Sequence, residues 1–207
     1  MKDRKARLAP GNFYHVFNRA NGKEELFVEE KNYNFFISKY LKYINPIAHT
    51  YSFCLMPNHF HFIIQIKNEH DLFRSLDINY MAKYFKSPGE GDFNYFIGRM
   101  LSRQFSNMFN SYAQAFNKMY DRKGNLFIRN YKRVFIDTDT YLRKLVIYIH
   151  LNPVKSELTE DPSLWKFSSY SHIISGKSTF VDTDFPIRLF DDIANFKFIH
   201  EQAMQGL

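Results

Sequence analysis

The sequence holds one cysteine and one tryptophan in 207 residues, and no apolar run long enough to cross a bilayer. A lone Cys54 excludes an internal disulfide and fits a reducing compartment. It lies in "TYSFCLMP" and reads as a small core residue of a strand. The basic opening "MKDRKARLAPGN" is not followed by an apolar stretch of signal-peptide length. The expectation is a cytoplasmic protein with no membrane partner. Internal repeats and low-complexity segments are also lacking. Acidic charge is scarce over most of the chain. Of 28 basic and 21 acidic residues, two and five fall within residues 180–207, so residues 1–179 carry 26 against 16, a net of +10. A body this positive attracts a polyanion.

What is abundant is aromatic: 23 Phe and 14 Tyr, enough to build a packed core for one domain and to stack unpaired bases. "GNFYHVFNRANG" has extended character, with Phe13, His15 and Phe17 on one face, and closes in a turn. "VEEKNYNFFISKYLKYINP" has helical spacing, its apolar stripe running through Tyr33, Phe36, Ile37, Tyr40, Leu41 and Ile44 to a stop at Pro46. "IAHTYSFCLMP" and "HFHFIIQIK" read as two strands around a turn, giving an α+β sheet with helices on one face. "DLFRSLDINYMAKYF" predicts a second helix and "KSPGEGDF" a loop. A long helix follows over residues 96–120, broken by "DRKGN". "LFIRNYKRVFI" predicts a strand on which Arg129, Tyr131, Arg133 and Phe135 share one parity. "DTDTYLRKLVIYIHLNP" begins with capping residues and is expected to stop at Pro153.

Alternation puts His59 and His61 of "MPNHFHFIIQI" on one face of their strand, where two imidazoles can serve one metal ion. A solvated or hydrogen-bonded pair satisfies the same pattern. On the last helix Tyr148 and Asn152 stand one turn apart on the packing side. A core aromatic and a helix-terminal amide satisfy that spacing equally well.

Four fragments, "YHVFNRANGKEELF", "YSFCLMPNHFHFIIQ", "YIHLNPVKSEL" and "LWKFSSY", occur in this order over about residues 8 to 175. Together they resemble the REP-associated tyrosine transposases, a branch of the single-tyrosine HUH transposases of the insertion-sequence type. The resemblance implies an antiparallel ferredoxin-like sheet with packed helices and a transposase domain over 1–179. Residues 180–207 lie beyond it, and their acidic, aromatic character suggests a tail docked on the basic body. His59-Phe60-His61 matches the His-hydrophobic-His motif, so both histidines become ligands of a divalent metal, Mg²⁺ or Mn²⁺. General ligand preference makes two imidazoles look more like a Zn²⁺ or Mn²⁺ site. Tyr148 matches the catalytic tyrosine. Asn152 stands where relatives carry a Gln third ligand; Pro153 disfavours helical geometry there, and His150 is the runner-up.

The implied activity is metal-dependent cleavage and rejoining of single-stranded DNA through a 5′-phosphotyrosine, at hairpin or palindromic repeats. The implied setting is the bacterial cytoplasm, with the protein on the nucleoid when bound to DNA. The rival readings are a hairpin-DNA-binding protein that no longer transposes, and a hydrolase using activated water. Arg19, Arg129, Lys132 and Arg133 are expected to hold phosphates, with Tyr131 stacking between them. Ile128 stands where relatives commonly carry Gln. Trp165 is expected to pack structurally, with Ser168 and Ser169 at a helix start. A monomer or a homodimer is compatible with all of this, and the role of the tail is left open, a cover over the DNA groove being one option.

Overall fold

The computed structural model describes residues 3–75, 93–177 and 180–207. Four strands make one sheet: β1 (Phe13–Arg19), β2 (Ala48–Met56), β3 (His59–Ile66) and β4 (Lys132–Ile136). Their spatial order is β2-β3-β1-β4, each neighbour antiparallel. Thus β1 and β2 run parallel with β3 between them, and β3 and β4 run parallel with β1 between them. The crossovers pass through α1 (Glu30–Tyr43) in the first case and α2 (Glu69–Ser75) and α3 (Phe93–Met119) in the second. Two interleaved split units of this kind are the ferredoxin-like topology. Pro57 and Asn58 form the two-residue turn between β2 and β3, because Met56 pairs directly with His59.

One face of the sheet carries α1 and α3. Tyr33, Phe36, Tyr40 and Ile44 of the α1 stretch are buried. Phe36 meets Phe60 at 5.1 Å and Tyr112 at 5.0 Å, while Tyr40 stacks on Phe62 at 4.3 Å. Leu41, expected in this stripe, is exposed. It lies about 100° round the helix from Tyr40, past the rim of the buried face. Helix α1 starts at a capping box in which Asn32 Oδ1 accepts from the Glu29 backbone N–H at 3.0 Å. Of the helix expected over 71–85, only the part in α2 is described. The rest, and the loop expected from Lys86 to Asp92, lie outside the described residues.

The opposite face is not bare, as a sheet with helices on one side requires. β3 is buried on both sides, so a second cover is needed. That cover is α4 (Asp139–Lys155), begun by Thr138, whose hydroxyl accepts from the Tyr141 N–H at 3.3 Å. Pro153 does not stop it. The ring deprives the Ile149 carbonyl of its usual donor, but this falls in the last turn. The chain then winds on, with Ser156 N–H donating to Asn152 O at 3.0 Å and Leu158 N–H to Pro153 O at 2.9 Å.

β4 is shorter than expected. Phe127 makes a single bridge to Ala20, and Asn130 takes a left-handed φ of 62°, so regular alternation starts only at Lys132. Trp165 packs structurally, donating to Leu55 O at 3.0 Å, and Ser169 stands at the start of α5 (Tyr170–Ser175). The last segment holds α6 (Asp184–Leu189) and α7 (Ile193–Gln205). Val181 bridges to Thr50, Phe185 packs on Tyr51 at 4.2 Å, and Phe196 lies 5.8 Å from His150. The segment therefore docks on β2 and the back of α4. It does not cover the cleft described next, which it does not line. No helix among the described residues is long and apolar enough to cross a membrane.

Candidate active site

The register of the central strands collects side chains on the α4 face. His61 pairs with Phe17 of β1 and Cys54 of β2, and His59 pairs with Arg19 and Met56. The two imidazole rings lie 5.1 Å apart, nearly perpendicular at 84°. His59 Nδ1 is 2.6 Å from Asn58 Oδ1, an atom that only accepts, so Nδ1 carries the proton and Nε2 the lone pair. That lone pair faces Asn152 Oδ1 at 3.5 Å. Asn152 uses its Nδ2 to donate to the Tyr148 carbonyl at 2.7 Å, which fixes Oδ1 toward His59. Two lone pairs thus confront each other, an arrangement that a cation between them relieves.

His61 adds a third. Its Nδ1 lies 2.9 Å from His15 Nε2, whereas its own Nε2 is buried with no hydrogen-bond partner among the described residues. A buried unpaired N–H is rarer than an unpaired acceptor, so the proton belongs on Nδ1 and Nε2 is a lone pair. Burial depresses all three imidazoles. His15 falls to about 4, and His61 falls well below the usual range with further repulsion from His15 and His59. His59 is lowered by burial and by the Arg19 charge, opposed by the Asn152 oxygen. Neutral imidazole is the form that binds metal. No group of three His, Cys, Asp or Glu among the described residues is placed to hold one. Asn152 Oδ1, 3.5 Å from His59 Nε2, is a side-chain oxygen placed beside the pair.

Tyr148 completes the site from α4. It is 39% exposed, and its ring stands edge-on to His61 at 5.4 Å and 81°. Lys155 Nζ lies 5.6 Å from the ring centre. The cleft around Tyr148, His59 and His61 has a volume of about 640 Å³. Arg4, Arg19, Lys23 and Lys132 line it, against one acid, Glu25.

His59, His61, Tyr148, Asn152, Arg19 and Lys132 therefore converge, and the others do not. His150 points away, fully buried, with Nε2 at 2.8 Å from Ser169 Oγ and Nδ1 at 3.0 Å from His200 Nε2. Arg129 and Arg133 line a separate groove of about 710 Å³ along α3, together with Lys5 and Arg103 and no carboxylate. The two hollows share Asn18 and Ile128. Tyr131 is no stacking platform: it is 9% exposed, and its ring packs on Phe105 at 5.1 Å. It shares a side with Arg133, whose guanidinium lies 5.1 Å over its ring, and α3 covers that side. Arg4, Lys23, Lys155 and His15 were not singled out as site residues by sequence. His15 was findable, since it shares a strand face with Phe17 and Arg19; Arg4 gives no local signal.

No family model and no curated protein matches the sequence. Among solved structures the chain is similar to a REP-associated tyrosine transposase bound to a REP hairpin, at 16% identity and a TM-score of 0.56. The alignment covers 88% of this chain and 93% of that one. At that identity the likeness speaks for architecture: the chain has the fold of a REP-associated tyrosine transposase.

Proposed function

We propose that the protein cuts and rejoins single-stranded DNA beside a hairpin or palindromic repeat, with Tyr148 as the nucleophile. The observation that carries this reading is a half-exposed Tyr148 set across one basic cleft from the partnerless His61 Nε2. Tyr148 Oη attacks phosphorus, the bond from phosphorus to the 3′ oxygen breaks, and a 5′-phosphotyrosine remains beside a free 3′-OH. The phenolic proton leaves to solvent, which reaches the ring, and the departing oxygen takes one up. A second 3′-OH reverses the step, so the bond energy is conserved and no ATP is consumed. A phenol ionises near ~10 in water and needs help as a nucleophile. The Lys155 ammonium makes a cation–π contact with the ring, 5.6 Å from its centre.

In this reading His59, His61 and Asn152 would hold Mg²⁺ or Mn²⁺, which when bound would supply charge stabilisation at the scissile phosphate and leaving oxygen. Arg19 and Lys132 bind phosphates of the single strand. Arg129 and Arg133 bind those of the adjoining duplex in the α3 groove, whose lining of arginines, amides and serines suits a DNA backbone. The fold shared with a protein solved on a REP hairpin supports a hairpin substrate.

The test is incubation with labelled hairpin DNA bearing single-stranded flanks and Mn²⁺, resolved on a denaturing gel. A covalent protein–DNA adduct is expected, absent in Tyr148→Phe and in His59→Ala. Cleavage that survives in Tyr148→Phe points instead to a hydrolase. Binding without cleavage across a panel of hairpins points to a DNA-binding protein alone.

A further inference from the structure

His150 sits two residues beyond Tyr148 on α4, about 200° round the helix. Its side chain enters a closed interior, where the hydrogen bonds linking it to His200 have one consistent direction. His200 Nδ1 lies 2.7 Å from the Phe196 carbonyl, which only accepts, so Nδ1 carries the His200 proton. His200 Nε2 is then a lone pair, and His150 Nδ1, 3.0 Å away, must donate to it. His150 Nε2 in turn accepts, from Ser169 Oγ at 2.8 Å, with Ser52 Oγ also within reach at 3.1 Å. Ser169 Oγ accepts from the Phe53 N–H at 2.8 Å. The chain runs from β2 through the start of α5 and the back of α4 to α7.

We infer that His150 and His200 are positioning residues that fix the rotation of α4 and so the approach of Tyr148 to His61. The inference rests on the role proposed for Tyr148. Apolar neighbours such as Leu145, Val146 and Ile149 bury the same helix, but their packing tolerates small rotations. Directional hydrogen bonds on the side away from Tyr148 do not. Any turn of α4 that swings Tyr148 off the His61 edge pulls His150 from both of its partners. Support from outside matters here because Pro153 removes one rung of the helix ladder, at the Ile149 carbonyl. The segment carrying α7, which touches nothing in the cleft, becomes part of the active-site scaffold.

Three variants test this with two readouts: the rate of adduct formation at saturating hairpin, and the NMR signals of the Tyr148 ring in DNA-free protein. His200→Leu removes the acceptor for His150. It should slow the saturated rate by about tenfold or more with half-saturation changed less than about twofold, and shift the Tyr148 signals. His200→Gln, which restores an acceptor near the Nε2 position, should recover most of both. Leu189→Ala loosens the same segment without touching the chain. Compared at equal loss of urea midpoint, it should leave rate and signals near wild type.

The inference is overturned if His200→Leu keeps the wild-type Tyr148 signals, or if Leu189→Ala at matched stability reproduces the defect. If His200→Leu does not fold, the double variant Ser52→Ala/Ser169→Ala removes both hydroxyl donors at the far end and carries the same expectation. Imidazole nitrogen shifts that place the proton on Nε2 of either histidine also overturn it. Absence of an adduct in wild type sinks the proposed function alone, because the Tyr148 signals still decide the positioning role.

Discussion

Two imidazole clusters lie under α4, and they differ in how their nitrogens are used. In the closed cluster, Ser169, His150 and His200 satisfy one another and end on a backbone carbonyl. In the open cluster, His15 orients His61, Asn58 orients His59, and two Nε2 lone pairs remain facing a cleft. Burial depresses the pKa in both: His200 to about 4, and His150 and His61 well below the usual range. Perturbed titration therefore does not separate a working site from a structural one here. The separation lies in what each cluster leaves unpaired, and where.

That contrast breaks cleanly under one pair of substitutions. His61→Ala should cut adduct formation by more than about 100-fold, as expected when a metal ligand is lost. It should lower the urea midpoint less than His150→Ala does, since His61 has one hydrogen-bond partner among the described residues, His15, and borders the cleft. His150→Ala should do the reverse in stability. It leaves a buried void and strips partners from Ser169 and His200, a loss of about 3 kcal/mol in urea denaturation. Equal stability losses for the two variants would erase the distinction between open and closed clusters.

Much of the open cluster was readable from residues alone. Alternation places His59 and His61 together, and helix spacing places Tyr148 with Asn152, because both relations are local. What brings the two pairs together is the register of the sheet and the seating of α4 on its second face, which are long-range. The stop expected at Pro153 failed for a related reason. Local preference counts one lost hydrogen bond, whereas burial of Leu151, Asn152 and Pro153 holds the turn in place. Tyr131 failed through burial rather than parity: it keeps the side of Arg133, whose guanidinium lies 5.1 Å over its ring, but α3 covers that side through Phe105 and Phe109. The closed cluster was out of reach altogether, since His200 lies beyond the recognisable fragments and meets His150 only through tertiary packing.

The closed cluster also carries a pH signature. The His200 ring packs against His150, Tyr170, Phe190 and Phe196. Its folded pKa of about 4 lies below that of the unfolded chain, near ~6.5, so only the unfolded chain gains a proton between those values. Stability should be complete above about pH 6.5 and fall by up to ~1.4 kcal/mol per unit as pH drops toward about 4. Urea midpoints measured across that range should fall less steeply in His200→Gln, with His15, His61 and His150, also depressed by burial, supplying the remaining slope. An unchanged slope would assign the acid sensitivity to other groups.

The smallest expected effect lies at the rim of the open cluster and concerns charge alone. Lys132 lines the cleft and pairs with Phe17 beside His61, whereas Lys197 is an exposed cation on α7, beside the closed cluster. If single-stranded DNA lies along the cleft, Lys132 neutralises one phosphate and displaces its condensed counterion. Lys132→Ala should then weaken hairpin binding modestly and reduce the slope of log affinity against log salt by about 0.7 to 1. Lys197→Ala removes the same charge from the whole molecule and should leave that slope unchanged. Equal slopes in the two variants would mean that net charge, rather than a phosphate held in the cleft, governs binding.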